Sequence, residues 1–191
     1  IIFTEISAAG GKALMSRNEY ESGSDRIAEA AADIDVDIIV NVQGDTPFVK
    51  KEPLQKLLGQ FDDPSVQVAS MMHVITNRDD IMNPGYVKVV VDKMMNSLLF
   101  SRAVIPYPRD RDYPTAYHEH IGVYAYRKQA LMNFTTWPVT PLEAAEKIEC
   151  LRYLENGIPL RMVEVDFMGI GIDTPEDLER ANKLLSSQPG Q

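Results

Sequence analysis

Short β-branched runs alternate with amphipathic helical segments along this chain, and that alternation restricts its fold more than any other feature. The clearest run is Asp37-Ile38-Ile39-Val40-Asn41-Val42, which is followed by Gln43-Gly44-Asp45 and reads as a buried strand ending in a turn. Ahead of it, residues 25–32 are helix formers with Ser22 or Ser24 available as N-cap. Behind it, residues 53–61 place Leu54, Leu57 and Leu58 at helical spacing. Further strands are expected over 67–74, 87–92, 97–102, 122–126 and 159–165, with a proline-rich loop between Pro106 and Pro114. One helix is expected over 141–154. A last one runs from Pro175 to about Leu185, with Thr174 as N-cap and Asp177 near the positive end of its dipole. Strands alternating with helices predict an α/β three-layer sandwich around a mostly parallel mixed sheet.

The 191 residues suffice for one domain and would leave two halves short of core. A hydrophobic share of 45% with 25% charged residues fits a soluble globular chain and is too apolar for disorder. No apolar run approaches the roughly eighteen residues a membrane span needs, so no membrane partner is expected. Ile1-Ile2-Phe3-Thr4-Glu5 carries no basic leader, so a secretory signal is not expected either. Cys150 is the only cysteine and cannot form an internal disulfide, which points to a reducing cytoplasm. It stands in the helix-forming run 146–152, without the electropositive setting a reactive thiol needs, and reads as a half-buried helix residue. The net charge of −9 disfavours nucleic acid and anionic membrane, which are bound by clustered cations. A small phosphorylated ligand stays open, because a metal ion and a few local cations can neutralise it in one cleft.

In sheets of this kind ligands lie beyond the carboxyl ends of strands, where Gln43-Gly44-Asp45 falls. Gly44 lets a ligand approach the backbone, and Asp45 offers a carboxylate to a hard cation such as Mg²⁺; the same tripeptide also serves as a plain turn. Asp173 follows Gly169-Ile170-Gly171-Ile172 and directly precedes a helix start, a setting for a metal or phosphate and also for simple dipole stabilisation. Ser22-Gly23-Ser24-Asp25-Arg26 brings small residues to another helix start, suited to a base edge, a phosphate or an ordinary cap. Arg102 follows a strand and Arg109 and Arg111 lie in the proline-rich loop; each can grip a carboxylate in bidentate fashion or stay solvated. His73 lies within a strand-like run and reads as structural. His118 and His120 share a face if their segment is extended, but no further zinc ligand stands at a useful spacing. A hydrogen bond from His120 to a polyhydroxy ligand is the better reading.

Taken in order, these segments resemble one family. Residues 22–29 resemble S-G-T-D/E-R-I/L-A-E, Asn41-Val42-Gln43-Gly44-Asp45 resembles V-N-V-Q-G-D, and Asn83-Pro84 with Val87-Lys88-Val89-Val90 resembles N-P-x-x-V-K-V-V. Residues 100–106 resemble F-S-R-A-x-I-P, and residues 120–127 resemble H-I/L-G-I/V-Y-x-Y-R. Pro141-Leu142-Glu143, Glu146 to Arg152, and residues 172–179 follow in the same order. Together they span nearly the whole chain and resemble the 3-deoxy-manno-octulosonate (Kdo) cytidylyltransferases. The resemblance implies a nucleotide-diphospho-sugar transferase-like fold and Mg²⁺-dependent transfer of CMP from CTP to the acidic sugar Kdo, for lipopolysaccharide biosynthesis. It further implies a cytoplasmic homodimer. Asp45 and Asp173 would be the catalytic metal ligands; Ser22, Gly23, Asp25, Arg26 and Gly44 would line the nucleotide. Gln43, Arg102, His120 and Glu149 would face the sugar, with Arg102 opposite its carboxylate on electrostatic grounds.

Three departures bear on that expectation. Ser24 replaces a usual Thr and keeps the hydroxyl. Cys150 replaces the Gln that many members carry beside Glu149, which removes one expected sugar contact. Members also begin with a strand and a basic, glycine-containing loop around the triphosphate; no segment here matches it, and Ile1 corresponds to a later point. The expectation is thus one nucleotidyltransferase domain over 1–191, N-terminally incomplete, with little turnover by itself and an exposed sheet edge. Two alternatives stand beside it: a cytidylyltransferase for another acidic sugar, such as sialic acid or amino-Kdo, and a non-catalytic nucleotide- or sugar-binding protein.

Overall fold

The fold is organised by one ten-residue strand, β5 (His118–Arg127), which has neighbours on both edges. The computed structural model describes residues 1–17, 20, 22–46, 48–110, 112–166, 172 and 174–187, with 184, 185 and 187 described by backbone alone. Strand β2 (Val68–Val74) runs along one edge of β5 from His118 to Tyr126. The other edge is divided between two strands. There β3 (Lys88–Val91) pairs at His118 and Glu119, and β1 (Ile38–Asn41) pairs from Tyr124 to Arg127. Beyond them, β4 (Ser97–Ser101) continues the sheet from β3 and β6 (Leu160–Glu164) continues it from β2.

The expected mostly parallel sheet is corrected here: among the described pairings only β2–β6 is parallel, and β5 runs antiparallel to β1, β2 and β3. The local reason at β3–β4 is a turn too short for a crossover helix, closed by Asp92 accepting from Asn96 and Met94 N–H groups at 2.8 Å. The mixed α/β character stands.

Alternating residues bury opposite faces of the sheet. One face carries Val68, Met72, Phe100 and Tyr126, covered by Ala28 of helix α2 (Gly23–Ala31) and by Leu131 and Phe134 of α5 (Lys128–Phe134). Leu151 and Tyr153 of α7 (Leu151–Glu155) complete that layer. The opposite face carries Ala69, Met71, Val123 and Ala125 against Leu57 of α3 (Lys51–Gly59) and Phe61. Three layers result. The remaining helices are α1 (Ile2–Ala8), α4 (Arg78–Met82), α6 (Pro141–Glu146) and α8 (Pro175–Ser187). No helix among the described residues is long and apolar enough to cross a membrane.

The single helix expected over 141–154 is two helices, α6 and α7, separated where Lys147 adopts φ 55°. Side chains in the break serve tertiary partners, which overrides helix propensity. Glu146 accepts from Ser101 Oγ at 2.6 Å and from the Arg102 N–H at 3.0 Å, while Glu149 Oε1 accepts from the Ser24 N–H at 3.1 Å. Cys150 accordingly sits just before α7 and is buried, where a half-buried helix residue was expected.

Candidate active site

The divided edge of β5 leaves a gap between the ends of β1 and β3, opposite Ile121, Gly122 and Val123. The chain leaving β1 turns here: Thr46 donates to the Gln43 carbonyl through both its N–H (3.1 Å) and its hydroxyl (2.7 Å). That turn leaves Gln43, Gly44 and Asp45 exposed. Gln43 reaches over the gap, its Cγ 3.8 Å from where a Cβ on Gly122 would stand. The Asp45 carbonyl accepts from the Ile172 N–H at 2.8 Å, so the segment immediately before Asp173 is tied to the turn carrying Asp45. Asp173 itself lies outside the described residues, as do Gly169, Ile170, Gly171 and Arg111.

Helix α2 starts beside the same gap because Ser22 caps it: Ser22 Oγ accepts from the Asp25 N–H at 3.2 Å and donates to Asp25 Oδ2 at 2.9 Å. Glu149 takes the Ser24 N–H, adding negative charge at the positive end of the helix. Tyr126 is buried beside this cluster, and burial raises its hydroxyl well above the ordinary tyrosine value. Gly23 and Arg26 are exposed, and a Cβ on either Gly23 or Gly44 would meet nothing within 4 Å, so both glycines border open space.

On β5, His120 is wedged between the rings of Phe100 (4.8 Å between centroids) and Tyr124 (5.3 Å). Burial pushes its pKa down to about 4, so it is neutral near pH 7. Tyr124 is raised well above the ordinary tyrosine value, chiefly by burial, with the Cys150 thiol and Tyr126 adding to it. Burial likewise raises the Cys150 thiol, which fits an inert packing residue.

Arg102 is more committed than its sequence position suggests. Its Nε donates to the Glu146 carbonyl at 2.7 Å, and its two terminal nitrogens donate to the carbonyls of Pro84 (3.0 Å) and Lys147 (3.4 Å). A guanidinium has five N–H donors, so two remain for a ligand. Gln43 thus lies over the gap, Asp45 is two residues further along the same turn, His120 precedes the gap on β5, and Glu149 is bonded to the start of α2. Arg102 stands at the end of β4 as a clamp on the α6 terminus. His73 and His118 turn to carboxylates instead, Glu119 at 3.4 Å and Glu164 at 3.2 Å.

Two residues of this region were not singled out from sequence. Ser70 was legible only as the one hydroxyl within the apolar run 68–72, and Tyr124 only as part of a β-prone aromatic segment. A separate cavity of about 780 Å³ opens on the far side of α2, between Asp25, Glu29, Trp137 and Arg152. It shares only Asp25 with the expected site, and the convergence of motifs at the divided strand edge outweighs its volume.

Among the described residues no group of three His, Cys, Asp or Glu side chains could hold a metal by itself. That donor set still suits Mg²⁺, which is usually held by one or two carboxylates together with substrate phosphates. An exposed Asp45 in an open turn has the required chemistry.

The chain matches the Cytidylyltransferase family over residues 2–167. It is 57% identical over 188 residues to the 3-deoxy-manno-octulosonate cytidylyltransferase of Flavobacterium johnsoniae, covering 97% of this chain and 77% of that protein. It is 41% identical over 184 residues to the enzyme of the same name from Escherichia coli, covering 96% and 74%. Its structure resembles that of a CMP:2-keto-3-deoxy-manno-octonic acid synthetase complexed with CTP, with a TM-score of 0.91 and 40% identity over 97% of this chain and 76% of that one. The expected nucleotide-diphospho-sugar transferase fold is therefore the observed one, and this chain belongs to the 3-deoxy-manno-octulosonate cytidylyltransferase family.

Proposed function

We propose that this protein transfers CMP from CTP to the anomeric hydroxyl of Kdo, releasing pyrophosphate. In that reaction the sugar oxygen bonds to the α-phosphorus as the bond to the bridging oxygen breaks. The protein's share is positioning of two anions and neutralisation of charge on the leaving group. The observation that carries the reading is the hydrogen bond from Ile172 to Asp45, which links the two acidic motifs at one strand end. Asp45 and Asp173 would hold Mg²⁺ there; when bound, it supplies positive charge to the triphosphate. Gly44 and the start of α2, with Ser22, Gly23, Asp25 and Arg26, are read as the nucleotide side. Gln43, His120, Glu149 and the two remaining donors of Arg102 are read as the sugar side. The protein would work as a homodimer in the cytoplasm, as its resemblance implies.

Pyrophosphate release with CTP, Mg²⁺ and Kdo tests this directly. Asp45→Asn is expected to lower kcat at least about 100-fold, as for removal of one preorganised charge at the reacting centre. Release without any Kdo-dependent product would sink the assignment.

A second reading, another acidic sugar, is supported by Cys150: a buried free thiol stands where the amide of Gln is common, so that hydrogen-bonding contact is lost. Parallel assays with sialic acid and amino-Kdo distinguish the two.

A further inference from the structure

Strand β5 contains a bulge. Ser70 on β2 is level with Tyr124, yet the next residue, Met71, is level with Ile121, so Gly122 and Val123 have no partners on β2. The carbonyls on either side of Gly122 turn to the buried hydroxyl of Ser70, which lies 3.1 Å from the Ile121 oxygen and 2.9 Å from the Val123 oxygen. The same hydroxyl lies 3.0 Å from His120 Nε2.

These three contacts share one proton. Carbonyl oxygens only accept, so the Ser70 hydroxyl must give its hydrogen to them, shared or to the nearer Val123 oxygen. Its oxygen can then meet Nε2 favourably only if Nε2 carries a proton and donates. Burial keeps the ring neutral near pH 7, so one proton is available and it belongs on Nε2. Nδ1 is left as a bare acceptor. Among the described residues it takes no hydrogen bond: the ring's one polar contact is Nε2 with Ser70, and its flanking groups are the Phe100 and Tyr124 rings.

We propose that Ser70 is a positioning residue that fixes His120 in the Nε2-protonated tautomer, so that Nδ1 accepts a hydrogen bond from a hydroxyl of the sugar substrate. The inference rests on the sugar-facing reading of His120 given above. It distinguishes His120 from a general donor: a ligand atom opposite Nδ1 must be an O–H, and an acceptor there is rejected. The bulge is then the device that aims the ring, since the register shift brings Ser70 under both carbonyls and Nε2 at once.

The chain has three histidines, so the imidazole nitrogens of the uniformly ¹⁵N-labelled protein are readily resolved, and a His120→Asn spectrum assigns those of His120. At pH 7 the expected spectrum has a protonated Nε2 and an unprotonated Nδ1. In Ser70→Ala the Nε2 proton loses its partner, and population is expected to move toward the Nδ1-protonated form. The KM for Kdo should rise about fivefold to tenfold, as for loss of one hydrogen bond, while the KM for CTP stays within about twofold. Ser70→Thr, which keeps the hydroxyl, should restore the wild-type tautomer. A wild-type spectrum with the proton on Nδ1 overturns the proposal. So does Ser70→Ala with either tautomer or sugar KM unchanged. The spectrum needs no turnover, so a wild-type protein that makes no Kdo-dependent product is recognised separately as failure of the functional assignment.

Discussion

Among the described residues, Glu119 is a side chain whose charge depends strongly on folding. It sits on β5 level with Lys88 on one side and His73 on the other, and its pKa is raised to about 7. Burial is the main cause; Asp80 raises it further, and Lys88 opposes both. An ordinary glutamate ionises near 4.5 in the unfolded chain, so between that value and about 7 the folded protein holds a proton that the unfolded one has released. Stability from this site is therefore intact at low pH and declines as pH rises through that window, then levels off. Glu119→Gln keeps the neutral shape and cannot ionise. It should flatten that part of the stability profile and, at pH 8, exceed the wild type by about 1–2 kcal/mol, a figure discounted for partial exposure. Urea midpoints at pH 4.5 and pH 8 check this: equal at the first and higher for the variant at the second. A variant less stable at pH 8 would mean that Glu119 is ionised and useful in the fold.

At the scale of elements, the break between α6 and α7 does more than any intact helix. Lys147 adopts a left-handed conformation, φ 55° and ψ 45°, which closes α6 and frees Glu146 and Glu149 for β4 and α2. For a residue with a Cβ that conformation costs roughly 1 kcal/mol, whereas glycine enters it readily. Lys147→Gly should therefore raise the unfolding free energy by about 0.5–1 kcal/mol, and Lys147→Val should lower it by more. Denaturant midpoints decide; a destabilised glycine variant would place the strain elsewhere. This break also marks where sequence reading stops. Patterns written locally were legible: the run that became β1, a serine cap for α2 that the structure resolves to Ser22 over Ser24, and the Thr174–Asp177 cap of α8, with Thr174 Oγ1 donating to Asp177 at 2.9 Å. Residues 141–154 are good helix formers throughout, so only their bonds to Ser101, Arg102 and Ser24 reveal the break. The same holds for the sheet. An apolar run does not say whether its neighbour is parallel, and the antiparallel course of β5 follows from pairings remote in sequence. In the candidate site, the motifs alone singled out Gln43, Asp45 and His120 as residues to consider. Ser70 was not, because its role depends on a bulge in another strand.

At the scale of the whole molecule, the decisive quantity is charge. The chain carries 19 basic and 28 acidic side chains, a net −9, and the turn at the end of β1 adds an exposed Asp45. A triphosphate approaching this molecule meets repulsion unless a cation intervenes, so nucleotide affinity should depend on Mg²⁺ far more than in a protein of balanced charge. Folding stability reports that dependence without requiring turnover, because a ligand that binds only the folded state stabilises it by mass action. At 100 times its Kd, CTP with Mg²⁺ should contribute about 2.7 kcal/mol. For a domain of this size that corresponds to a rise in Tm of roughly 5–11 °C. In EDTA the rise should fall to a small fraction, and raising salt should not restore it, because salt screens repulsion without bridging carboxylate to phosphate. Asp45→Asn should resemble the EDTA condition even with Mg²⁺ present, since it removes a ligand while leaving the turn closed by Thr46. A full shift by CTP in EDTA would mean that the triphosphate is held by protein cations alone, and Asp45 would revert to a turn residue. A full shift for Asp45→Asn with Mg²⁺, combined with none in EDTA, would keep the cation and move its ligands to other carboxylates.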